Sequence, residues 1–103
     1  MPNVILSKEA RNDLHAIRDY IQDELSNPDT AKDTLRALKK AVLSLQDMPE
    51  RGIALDKHLT VHTGFRFLIC KNYKVFYLFD GNTVEIVRVL HALQDYMQAL
   101  FSS

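Results

Sequence analysis

The alternation of apolar and polar positions divides the chain into a helical first half and a strand-rich second half. Val4-Ile5-Leu6 is a short apolar run that reads as a strand, and Ser7 before Lys8-Glu9-Ala10 supplies the N-cap of a helix. Ala10, Leu14, Ile17, Ile21 and Leu25 then recur at three- and four-residue steps, while Asp13, Arg18, Asp19, Gln22 and Asp23 occupy the other side. Ser26-Asn27-Pro28 ends that helix, because the residue before a proline is pushed out of the helical region. A second stripe, Ala31, Leu35, Leu38, Val42 and Leu45, predicts a helix from about Asp29 to Leu45. The short connection makes the two an antiparallel helical hairpin.

Met48-Pro49-Glu50-Arg51-Gly52 punctuates the chain, and Ile53 to Gly64 shows no period. Beyond it, Phe65–Cys70, Tyr73–Phe79 and Thr83–Leu90 are dense in aromatic and β-branched residues, which favour strands. Lys71-Asn72 and Asp80-Gly81-Asn82 are the intervening turns, so these strands form an antiparallel meander with the helical hairpin on one face. Leu93 to Phe101 predicts a short final helix docked through Leu93, Met97 and Leu100. The fold class is α+β: an N-terminal strand, a helical hairpin, three further strands and a C-terminal helix, in one domain spanning residues 1–103.

Two-residue loops at Lys71-Asn72 and Gly81-Asn82 pair Arg66 with Tyr77 and Lys74 with Val89. Directly paired residues share a face. Lys74, Glu85 and His91 then lie with Phe65, Phe67, Phe76 and Val87 on the face away from the helices. Leu68, Cys70, Val75, Phe79, Val84 and Ile86 form the helix-covered core, with Arg66 and Arg88 at strand ends on that side. A one-residue slip in either turn reverses part of this assignment.

Charge narrows the function. The 13 basic and 13 acidic side chains balance. Split after Arg51, the halves carry 8 against 9 and 5 against 4, so neither is a basic arm. Strong unassisted binding to nucleic acid is disfavoured, since that affinity comes from phosphate contacts. The single cysteine, Cys70, sits in an apolar run and reads as a small buried hydrophobe. It and the four histidines lack metal-ligand spacing, so no metal and no cofactor is expected. No signal-peptide pattern or membrane-length apolar run is present, which makes the cytoplasm the expected compartment and a membrane partner unexpected.

The order strand, helix, helix, three strands resembles the RelE/ParE superfamily of toxins from type II toxin–antitoxin systems. The resemblance is carried by Leu6-Ser7, Ala10, Asp13-Leu14, Ile17 and Tyr20-Ile21, and by the Leu45, Pro49, Gly52 punctuation. Gly64-Phe65-Arg66 is similar to the superfamily's Gly-x-Arg step. Tyr73-Lys74-Val75-Phe76-Tyr77 is similar to its Tyr-Arg-x-x-Tyr strand, with lysine for arginine. Val84 to His91, followed by Asp95-Tyr96, looks like its terminal Arg-Val-Leu-His strand.

The resemblance implies a toxin neutralised by a cognate antitoxin whose disordered tail orders on binding. Phe65, Phe67, Phe76 and the Ile53–Leu59 stretch are the expected receiving positions. A homodimer or a toxin–antitoxin hetero-oligomer is the expected assembly. The superfamily implies two targets: DNA gyrase, and messenger RNA on the translating ribosome. Metal-free RNA cleavage requires a group to take the 2′-OH proton, a cation for the phosphate and an acid for the leaving oxygen. The residues available for that are Lys74, Arg66, Arg88, Glu85, His91 and Tyr96. Five of them also have a plain role: Lys74 and Glu85 as solvated sheet residues, His91 at a strand end, Tyr96 in helix packing, Arg88 tied to a carboxylate such as Asp95. Ala92-Leu93-Gln94 follows His91 where many relatives carry glycine and arginines, and the chain is neutral. The expected branch is therefore the gyrase-inhibiting one; the alternatives are a ribosome-dependent ribonuclease and a weakened toxin serving mainly as antitoxin partner.

Overall fold

A computed structural model describes residues 2–58 and 62–101. Strand β1 (Asn3–Leu6) leads into helix α1 (Lys8–Asp19), which runs on as a π-helical turn over Tyr20–Glu24. Helix α2 (Pro28–Ser44) follows, then β2 (Ile53–Ala54), β3 (Arg66–Cys70), β4 (Tyr73–Phe79), β5 (Thr83–His91) and α3 (Tyr96–Phe101).

Both long helices start on a side-chain cap, that of α1 read from the sequence at Ser7 and that of α2 seen only in the structure at Asn27. Ser7 Oγ accepts from Ala10 N–H at 3.0 Å, and Asn27 Oδ1 accepts from Thr30 N–H at 3.1 Å. Pro28 stands in the first turn of α2, where its missing N–H costs nothing. The helix expected to run to Leu25 instead widens over Tyr20–Glu24. Leu25, expected on the buried stripe, is 55% exposed.

The sheet is larger and more mixed than a meander. Its order is β1-β5-β4-β3-β2, with β1 parallel to β5 and the other neighbours antiparallel. The two-residue β2 comes from the stretch without periodicity, too short to show an alternation. Leu59, in the same stretch, lies outside the described residues.

The sheet buries both faces. Against α1 and α2 pack Leu68, Val75, Tyr77, Val84, Ile86 and Val89, with Ala10, Ile17, Leu38 and Leu45 from the helices. On the other face a smaller cluster of Leu55, Phe67, Phe76 and Leu90 is covered by Tyr96, Ala99 and Leu100 of α3. The docking expected of α3 through Leu93 and Met97 is not seen. The helix begins at Tyr96, Leu93 is 90% exposed and Met97 is 42% exposed. Leu100 does dock.

Register is as the turns dictate for the Arg66–Tyr77 pair and near the second turn, where Tyr77 faces Ile86 and Phe79 faces Val84. A β-bulge then intervenes: Phe76 faces Arg88, leaving Val87 as the extra residue. Lys74 consequently pairs with Leu90 rather than Val89, and Tyr73 pairs with His91. A shift of one residue sends every later side chain of β5 to the opposite face. The bulge is stitched to the start of α1, since Ser7 N–H donates to Ile86 O at 2.9 Å and Ser7 Oγ–H to Val87 O at 2.7 Å.

Candidate functional site

The bulge separates the residues that the sequence would bring together. His91 leaves the face of Lys74 and Glu85 and sits on the helix side, edge-to-face on Tyr73 with ring centroids 5.7 Å apart. Its Nδ1 accepts from Leu93 N–H at 3.1 Å. There it lines a hollow of about 330 Å³ with Asp13, Tyr20, Tyr73 and Val89. Burial, with the nearby Tyr20 contributing less, holds the Tyr73 hydroxyl above its usual pKa.

Lys74 and Tyr96 do meet. The Lys74 ammonium lies 5.2 Å from the Phe67 ring centroid and 5.5 Å from that of Tyr96, within cation–π range of both. Tyr96 in turn packs on Phe76 at 5.5 Å. These residues and Leu55 enclose about 280 Å³. Glu85 stays on the Lys74 face but pairs with Leu78, four residues farther along β4 and so roughly 13 Å away along the strand. It borders a shallow hollow with Ile5, Leu78, Asp80 and Thr83.

Both arginines are engaged in the scaffold. Arg66 donates through Nη1 to Gly52 O at 2.9 Å and Glu50 O at 3.2 Å, tying down the loop after α2. Tyr77 completes that clasp by accepting from Gly52 N–H at 2.9 Å. A Cβ at Gly52 would lie 2.6 Å from the Tyr77 hydroxyl and 3.0 Å from Phe67 O, so only glycine fits. Arg88 donates from Nε and Nη2 to the two oxygens of Asp13, at 2.7 and 2.8 Å. Its expected partner Asp95 instead accepts from Gln98 N–H at 3.2 Å, within the first turn of α3. The hydrogen bonds to Asp13 raise the Arg88 pKa above its usual value, against the opposing effect of burial.

The aromatic residues expected to receive a partner are largely occupied as well. Phe67 and Phe76 are 6% and 0% exposed under α3, while Phe65, half-buried, stacks edge-to-face on Phe101 at 5.7 Å. Among the described residues, no group of three or more His, Cys, Asp or Glu is placed to hold a metal ion. No described helix is long and apolar enough to cross a membrane.

The apolar groove on the other side of the molecule was not anticipated. It measures about 600 Å³ and runs between β1 and α2, lined by Val4, Leu6, Leu14, Leu35, Leu38, Val42 and Leu43, with Arg36 and Lys39 at its rim. The residues were legible as helix stripes and a strand; that they leave a furrow was not, because periodicity marks an apolar face without showing how closely two elements approach.

The family model described as the ParE toxin of the type II toxin–antitoxin system parDE matches residues 4–96. Among curated proteins no sequence matches. In solved structures, a chain from the chromosomal ParDE system of P. aeruginosa is similar with a TM-score of 0.72 and 22% identity, over 88% of this chain and 96% of that one. A chain of the RelBE2 toxin–antitoxin complex from Mycobacterium tuberculosis is similar with a TM-score of 0.61 and 26% identity, over 88% and 99%. A chain of the E. coli DinJ–YafQ complex is similar with a TM-score of 0.58 and 14% identity, over 99% and 100%.

Proposed function

Because the chain belongs to the ParE toxin family of type II toxin–antitoxin systems, we propose that it arrests growth by inhibiting DNA gyrase and is neutralised by a cognate antitoxin. The observation that carries the choice of target is the dispersal of the groups RNA cleavage would need. His91 is on the opposite face from Lys74, and Glu85 is far along the strand. Arg66 and Arg88 are committed to carbonyl and carboxylate partners inside the fold. Acid–base cleavage of a phosphodiester requires such groups within hydrogen-bond reach of one reacting centre. An inhibitor that acts by binding requires none of this. The antitoxin partner is supported by the similar chains, which are described as parts of toxin–antitoxin complexes.

The competing reading is a ribosome-dependent ribonuclease, favoured by one feature: Lys74 and Tyr96 share a cleft. Purified protein added to gyrase, and separately to translating ribosomes, distinguishes them. The gyrase reading predicts loss of supercoiling with trapped cleaved DNA, and intact transcripts. Transcript cleavage with unaffected gyrase would overturn it. No effect in either assay would leave a weakened toxin acting as the antitoxin's partner.

A further inference from the structure

We infer that the hollow between α1 and the end of β5 is a binding site for an uncharged planar heterocycle of the nucleobase class. The site is independent of which target the toxin acts on. The fold buries there a polar group that it does not use. Tyr73 and Tyr77 are 9% and 0% exposed, and a phenol so deep ordinarily finds a hydrogen-bond partner. Tyr77 does, through Gly52 N–H. The Tyr73 hydroxyl has none among the described residues, and its raised pKa comes from burial and the nearby Tyr20 phenol alone. No described side-chain N or O is sealed off without a partner. The hydroxyl therefore opens on the hollow that Tyr73 lines.

The walls supply what a heterocycle needs. His91 Nδ1 accepts Leu93 N–H at 3.1 Å, which places the ring proton on Nε2 and leaves that nitrogen as a donor. The Gln94 amide and the half-exposed Tyr20 phenol add donors and acceptors that can adapt. Ile17 and Val89, both buried, give an apolar floor. The aromatic rings on the wall offer faces on which a base stacks. The volume of about 330 Å³ lies at the small end of ligand sites, which run from roughly 300 to 1,000 Å³. It suits one ring system with a sugar rather than a strand.

Charge selects against an acid or a phosphate. No Lys or Arg lines the hollow, and its one carboxylate, Asp13, is held on both oxygens by Arg88. An ionised ligand would be desolvated there with no counter-charge, whereas a neutral ring pairs with the groups present. The backbone carries a further mark of a site. The π-helical turn begins at Tyr20, whose carbonyl accepts Leu25 N–H at 3.2 Å, and turns of this kind recur where function is placed.

The test is an NMR titration of the full chain with adenosine, uridine and adenosine monophosphate, using wild type, Y73F and H91A. At least one nucleoside should give saturable shifts at Tyr20, Tyr73, His91 and Gln94. Binding should weaken about fivefold or more in each variant, the effect of one lost hydrogen bond. The monophosphate should bind no tighter than adenosine. Y73F keeps the buried ring and loses no internal hydrogen bond, so its urea midpoint should match wild type, which a structural role for the hydroxyl would not allow. Absence of saturable shifts at millimolar nucleoside overturns the site. So do shifts unchanged in folded Y73F, which would mean stacking on exposed Tyr20 alone. A monophosphate bound at least tenfold tighter than adenosine overturns the assignment to an uncharged ligand, and a lowered Y73F midpoint returns the hydroxyl to the fold.

Discussion

Asp13 and Arg88, 75 residues apart in sequence, meet through two hydrogen bonds of 2.7 and 2.8 Å, and the same carboxylate accepts Val89 N–H at 2.9 Å. One side chain of α1 thus satisfies both a guanidinium and a backbone donor just past the β5 bulge. The pair is largely shielded, at 24% and 14% side-chain exposure. Bidentate geometry of this kind is specific to arginine.

Asp13→Ala should therefore destabilise the protein by about 2–3 kcal/mol, because it removes charge-assisted bonds and leaves a backbone donor unpaired. Arg88→Lys should recover only part of the lost stability, since an ammonium cannot reproduce the fork. Urea titrations of the two variants and wild type check this. Equal stability of wild type and Asp13→Ala would show that the contact adds nothing.

The bulge beside this pair marks where sequence reading stopped working. The alternation of β3 and β4 was legible and correct: Leu68, Cys70 and Val75 face the helices, and Phe67 and Phe76 face away. So was the first part of β5, with Val84 and Ile86 inward. Nothing in Val87-Arg88-Val89-Leu90-His91 signals an extra residue, because each phase mixes apolar residues with one polar one and the run contains no glycine. The information lies in tertiary contacts from Ser7 and Asp13. The short apolar run of β1 predicts the strand but not its parallel pairing to β5, which depends on the whole of α1 and α2 crossing over. The family was legible because its residues are spread along the chain; the convergence of Lys74, Glu85 and His91 was not, because it hung on one register step.

That step leads to a prediction about chemistry. If Lys74, Glu85 and His91 have no shared reacting centre, Lys74→Ala, Glu85→Gln and His91→Ala should each retain growth arrest, within about threefold of the wild-type inducer dose. Titrating an inducible promoter in cells lacking the antitoxin measures this. Abolished arrest in the His91 and Lys74 variants together, with both proteins folded and antitoxin binding intact, would restore the catalytic reading.

Tyr77 is fully buried, and its burial raises the phenol above its usual pKa of 10.0, with smaller opposing effects from Gly52 N–H and the nearby arginines. The unfolded chain ionises this phenol first, so the folded state holds the extra proton as pH rises. The stabilisation is complete below pH 10 and is lost as pH climbs toward the folded value. Tyr77→Phe should cost about 1–3 kcal/mol at neutral pH by leaving Gly52 N–H unpaired. It should also flatten the alkaline fall in stability. Tyr73, raised in the same direction, supplies the remainder. Denaturant melts at pH 7 and above pH 10 test both parts; an alkaline slope identical to wild type would sink the second.

The last prediction concerns α3. It spans 6 residues, well short of the length at which a helix holds in water alone, so packing of Tyr96, Ala99 and Leu100 must hold it in place. Leu100→Asp sets a carboxylate against Leu55, Phe67, Phe76 and Leu90 and should release the helix, because a buried unpaired charge costs more than six residues of packing return. The larger core under α1 and α2 shares none of those residues, so the rest of the fold should persist. Hydrogen exchange should show fast amides confined to residues 96–101. Phe67, Phe76 and Leu90 would then face water, and dye binding and self-association should rise in proportion. A variant that unfolds globally instead would show that the two cores are one cooperative unit, with α3 part of the scaffold rather than a cover laid on it.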